Sequence, residues 1–186
     1  MLNTQYVRSL MIYFAGFVSA DAINKLGKLP KNARLPEYDT LISELQKVEK
    51  KANTEISNYI FSINEKYLSD NVKAMSGKLL FVEYGNITLQ GQVVTNAEVD
   101  LAITVASEFT VSNNDIINET LMMENNLATL NTILETMQQE QDSLEACPAI
   151  KLLEFPATII PVSPSTFYDH GGWCAMFSRK MTTNVL

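Results

Sequence analysis

Cysteine is scarce in this chain, histidine scarcer, and long basic runs are missing. Two cysteines in 186 residues, Cys147 and Cys174, cannot build a disulfide framework or a zinc knuckle. They read instead as two buried thiols in a reducing compartment. One histidine, His170, with two distant cysteines cannot supply four soft ligands, and HExxH, CxxC and EF-hand patterns do not occur. No metal is implied. The seven glycines never form GxGxxG or a GK[ST] ending, so no phosphate cradle and no cofactor are implied either. Carboxylates are scattered, and no pair of them can be nominated for acid–base work.

Positive charge is short as well. Fourteen Lys and Arg stand against 21 Asp and Glu, giving a net charge of −7 and a pI near 4.7. Nucleic-acid binding needs cations to neutralise phosphates, so that balance argues against a nucleic-acid grip. The Lys50-Lys51 pair is too short to make a polybasic membrane patch. What the chain does have is a globular profile, 46% hydrophobic and 19% charged. That suffices for one good core with an appendage.

The opening stretch MLNTQYVRSLMIYFAGFVSADAIN sets the compartment. Its apolar run is too short for a membrane span, which needs roughly 20 residues. A secretory signal is one reading, with Leu10 to Val18 as its apolar region and Ser19 to Ala22 as a cleavage-like site. The other is a helix, because Tyr6, Leu10, Phe14 and Phe17, flanked by Val7, Met11 and Val18, fall at helical spacing. The helical reading is preferred. Residues 1–36 then form an N-terminal helical arm and connector, with Tyr6, Leu10, Phe14, Phe17 and Val18 as candidate interface residues. Removing Met1 to Leu29 is expected to leave a folded monomer unable to assemble.

The core domain is placed at residues 37–186. Leu41, Leu45, Val48, Ala52, Ile56, Tyr59, Ile63 and Tyr67 step by three and four, which predicts one long helix over 37–70 that stops before Gly77. The period then changes to two. Strands are expected over 78–110, with a turn at Gly85-Asn86, and Leu101, Ile103 and Val105 on a buried face. Ser112 to Asp115 is an N-cap cluster for a helix over 114–141, and a strand pair over 154–182 closes the chain. Pro156 and Pro161 push the first strand of that pair to a sheet edge. Strands grouped around helices without repeated βαβ units indicate an α+β fold with a mainly antiparallel sheet of four or five strands.

His170 precedes Cys174 by four residues, so an enzyme using a thiol and an imidazole is one functional reading. The plainer reading of Asp169-His170-Gly171-Gly172 is a reversal before a strand, with glycine supplying positive φ. The plainer reading is preferred, and no catalytic residue is assigned.

The order of elements carries a resemblance. Lys78-Leu-Leu-Phe-Val-Glu-Tyr-Gly85, then Val99-Asp-Leu-Ala-Ile-Thr-Val105, the Asn114 to Met137 helix, and Asp169-His-Gly-Gly-Trp173 ahead of the last strand resemble the tail-terminator and neck proteins of tailed bacteriophages. The resemblance spans roughly Lys78 to Thr183 and rests on element order and texture. It implies a non-enzymatic virion subunit, assembled in the host cytoplasm as a homo-oligomeric ring between portal and tail. DNA would pass through the ring without specific binding. Net acidity suits such a channel, and closed rings need heterologous contacts between copies. The alternatives are a secreted or periplasmic binding module whose signal is cleaved near Ile23, and a small enzyme using the His170 region.

Overall fold

In this computed structural model, residues 5–52, 54–90, 96–109, 115–141, 150, 153–155 and 157–182 are described. Five α-helices and five strands follow one another along them: α1 (Tyr6–Ala15), α2 (Ala20–Asn24), α3 (Tyr38–Gln46), β1 (Asn58–Phe61), α4 (Glu65–Val72), β2 (Lys78–Gln90), β3 (Asn96–Glu108), α5 (Ile116–Gln141), β4 (Thr158–Val162) and β5 (His170–Thr182). The strands form one sheet in the order β1-β2-β3-β5-β4. Only β1 and β2 run parallel; the other neighbours are antiparallel. The α+β class and the mainly antiparallel sheet are therefore as expected. The one long helix is α5.

Residues 37–70 do not form a long helix. The stripe breaks after Gln46, and the chain returns as β1 before Asn64 caps α4 through its side-chain oxygen, which accepts from the Tyr67 amide at 3.1 Å. Asn58, Tyr59 and Ile60 are buried in succession, which a helix with one apolar face cannot do and a parallel strand covered on both faces can. Ile63 and Tyr67, two positions of the expected stripe, are exposed. β-branched Ile56 and Ile60 and aromatic Tyr59 and Phe61 favour the extended form.

One face of the sheet carries Leu80, Val82, Leu101, Ile103, Val105, Ala175 and Phe177. Against it pack α1 and α5, the latter through Leu130, Ile133 and Met137 at steps of three and four. Polar ties fix the position of α5. Asn126, fully buried, accepts from Ser107 Oγ at 2.9 Å and donates to the Gly171 carbonyl at 3.0 Å. Trp173 Nε1 donates to the Met123 carbonyl at 3.0 Å. At the helix start, Asp115 Oδ1 accepts from the Ile117 amide at 3.0 Å. The Ser112 to Asn114 part of the expected cap lies outside the described residues, as do Cys147 and Pro156.

The opposite face is only partly covered. Ile60, Leu79, Phe81 and Ala106 pack with Leu68 and Val72 of α4 and with Phe167. The β2–β3 ladder runs through Gly85-Asn86 with a register shift between Tyr84 and Ile87, so the expected turn there is a bulge within one strand. β4 stands at the sheet edge, where Pro161 needs no ladder donor.

Candidate functional site

The five expected interface residues lie in the core of their own chain. Leu10, Phe14 and Phe17 are 0% exposed, Val18 2% and Tyr6 7%. They belong to the same buried cluster as Val82, Leu101 and Ile103 of the sheet, so residues 6–24 are a layer of the fold and not an arm. Backbone bonds tie the segment in: the Ser19 amide donates to the Ile56 carbonyl at 2.9 Å, and the Lys51 amide to Gly16 at 2.9 Å. The Tyr59 hydroxyl donates to the Met11 carbonyl at 2.8 Å, and burial holds its ionisation well above the ordinary range. Arg8, on the outward side of α1, pairs with Glu44 and Glu37 of the α3 region, and these bonds push its guanidinium pKa further up.

His170 and Cys174 do not form a catalytic pair. His170 is 0% exposed, with Nδ1 2.9 Å from the Tyr168 carbonyl oxygen and Nε2 3.2 Å from that of Met75. Both nitrogens face carbonyls, and neither faces the Cys174 thiol. Cys174 lies four residues along the same extended strand, roughly 13 Å away at strand rise. Burial pushes the Cys174 thiol up, with Glu83 adding to the effect and a hydrogen bond from Thr104 opposing it. A raised thiol holds little thiolate at neutral pH and reacts slowly. In the folded chain at pH 7, Cys174 should therefore be alkylated by iodoacetamide at least about tenfold more slowly than in the urea-unfolded chain. Peptide mapping of both time courses checks this. Equal rates would show that the thiol is open.

The reversal before β5 is made without its glycines. Tyr168 and Asp169 adopt the positive φ values, 50° and 64°, while Gly171 and Gly172 are already strand residues. Among the described residues no group of three or more His, Cys, Asp or Glu could hold a metal ion.

What remains open is surface. At the start of α5, Ile116, Ile117 and Leu121 are 77%, 64% and 56% exposed. On the edge strand β4 and its neighbour β5, Ile160 and Met176 are 40% and 41% exposed; Ile159, on the opposite face beside Ala175, is 38% exposed. Ile160 pairs with Cys174, and Thr158 with Met176, so Ile160 and Met176 share the sheet face that α4 leaves uncovered. Single exposed apolar side chains are ordinary, but Ile116, Ile117 and Leu121 together, and Ile160 beside Met176, mark candidate contact surfaces. Periodicity alone did not single out either group, because exposure depends on which helix happens to cover which half of the sheet.

No helix of the described residues is long and apolar enough to cross a membrane. Comparison with protein-family models, with curated proteins and with solved structures finds no match to this chain.

Proposed function

We propose that this chain is a non-enzymatic structural subunit of a bacteriophage neck or tail, a tail-terminator-like connector that closes into a ring of identical copies around the DNA channel. Two observations support the reading. The second half of the fold keeps the order that the resemblance implies: an antiparallel strand pair, a long helix on one face, then a closing strand pair. In addition, the chain leaves two different apolar groups uncovered, Ile116/Ile117/Leu121 and Ile160/Met176. The second observation carries the proposal. A heterologous contact joins two unlike patches, one on each copy, and only such contacts propagate around a ring. The interface so proposed lies on the sheet edge and the start of α5, with the N-terminal helix in a supporting role inside the fold.

The competing secretory reading needs a stable chain beginning near Ile23. Such a chain would lack Leu10, Phe14 and Phe17 from the middle of the core.

Native mass spectrometry tests the ring. The full chain should give one closed species of defined copy number at micromolar concentration. Ile117→Glu with Leu121→Glu should disperse it to monomers, and so should Ile160→Glu with Met176→Glu, since each contact uses both patches. Thermal melts should stay near native, because all four side chains are exposed. A monomeric wild-type chain, or a ring indifferent to both pairs of substitutions, would remove the proposal.

A further inference from the structure

A cleft of about 660 Å³ opens beside the sheet edge formed by β1, between the α2–α3 connection and α4. It lies within the size range of small-molecule sites, roughly 300–1,000 Å³. Buried Ala22 and Tyr59 with half-buried Leu26 and Met75 give it an apolar floor. Tyr67, 43% exposed, and Tyr38 stand along its sides.

Its charge is the unusual part. Acidic residues outnumber basic ones 21 to 14 in the chain, yet this lining holds Lys25 and Lys28 and no Asp or Glu. Lys25 is held in place by neutral groups, donating to the Ser57 carbonyl at 2.8 Å and to Asn58 Oδ1 at 2.9 Å. Asn58 is itself 4% exposed and fixed by its own donation to the Ser76 carbonyl at 2.7 Å. Neither lysine has a carboxylate partner among the described residues. The nearby Arg34 is neutralised by Asp39 at 2.5 Å and lies over the Tyr38 ring at 5.0 Å. A second cleft, of about 540 Å³, is different in kind. There Lys78 is spent on Asn125 and Thr129, both at 2.6 Å, and faces Glu55 and Glu124.

We propose that the Lys25–Lys28 cleft binds an organic anion with an aromatic body, its charge met by the two ammonium groups and its ring laid against Tyr67, Leu26 and Met75. Neutral acceptors place the Lys25 charge without cancelling it, so an anion entering the cleft gains attraction and displaces no internal partner. The apolar floor then favours an aromatic body over a bare inorganic ion. The site is independent of ring assembly.

Fluorescence titration of the full chain with 8-anilinonaphthalene-1-sulfonate tests it, with the uncharged N-phenyl-1-naphthylamine as comparison. The sulfonate should bind saturably at one site per chain, and more weakly as salt rises. Lys28→Glu and Tyr67→Ala should each weaken it by about tenfold or more, a change of about 1.4 kcal/mol. Both residues are exposed, so melts should remain near native. The ring-breaking substitutions in α5, β4 and β5 should leave the titration unchanged. Non-saturable binding, equal affinity for the uncharged probe, or indifference to both substitutions would overturn the proposal.

Discussion

A chain lacking residues 1–29 does not fold cooperatively: this is the expected result of the truncation, in place of a folded but unassembled monomer. The removed segment supplies Leu10, Phe14 and Phe17, each 0% exposed, together with Tyr6, Tyr13, Val18, Ala22 and Ile23 from the main buried cluster. Truncating one buried Phe to Ala costs about 3–5 kcal/mol, and a domain of this size has only about 5–15 kcal/mol in all. Loss of Phe14 and Phe17 together already takes about 6–10 kcal/mol of that. The deletion also leaves buried polar groups unserved. Tyr59 loses the Met11 carbonyl, and the Thr54 hydroxyl loses the Phe17 carbonyl. Circular dichroism through a urea titration is the check. The expected trace is non-cooperative, and Phe14→Ala in the full chain should lower stability by about 3–5 kcal/mol. A truncated chain with a sharp, near-native transition would contradict this packing and revive the secretory reading, which requires residues from Ile23 onward to stand alone.

That result marks where the sequence is readable and where it is not. The apolar spacing of Tyr6, Leu10, Phe14 and Phe17 says that something covers one side of a helix. It does not say whether the cover is the same chain or another, and here it is Val82, Leu101 and Ile103, 65 to 97 positions away. The alternation of Leu101, Ile103 and Val105 was legible because an antiparallel strand declares its faces locally. Pro161 likewise announced an edge. β1 was hidden for the opposite reason. It is short, buried on both faces and paired in parallel with β2, so its residues give an apolar run that fits a helical stripe equally well. The cleft had no sequence signal at all. Lys25, Lys28 and Tyr67 come together only because β1 and α4 fold back beside the α2–α3 connection.

The glycine pair before β5 shows the same limit at the scale of single atoms, and it gives the second large expected effect. A Gly-Gly step after Asp169-His170 reads as a turn needing positive φ, yet Tyr168 and Asp169 take that conformation themselves. Gly172 is needed for closeness. It pairs with Ala106 in the β3–β5 ladder, and a Cβ built there overlaps the Val105 carbonyl oxygen and comes within 2.6 Å of Ala106 Cα. Those are backbone atoms in the middle of a ladder and cannot swing aside, so Gly172→Ala must push β3 and β5 apart. At Gly171 the nearest atom is the flexible end of Met122, at 3.0 Å, which can move. Gly172→Ala is therefore expected to cost about 3 kcal/mol or more, and Gly171→Ala about 1 kcal/mol or less, by urea denaturation. If the pair served the turn instead, the two substitutions would cost alike. A Gly172→Ala chain within about 1 kcal/mol of the wild type would mean that β3 and β5 do not approach each other as described. The uncovered face bearing Met176 and Ile160, on which the ring contact depends, would then need to be redrawn.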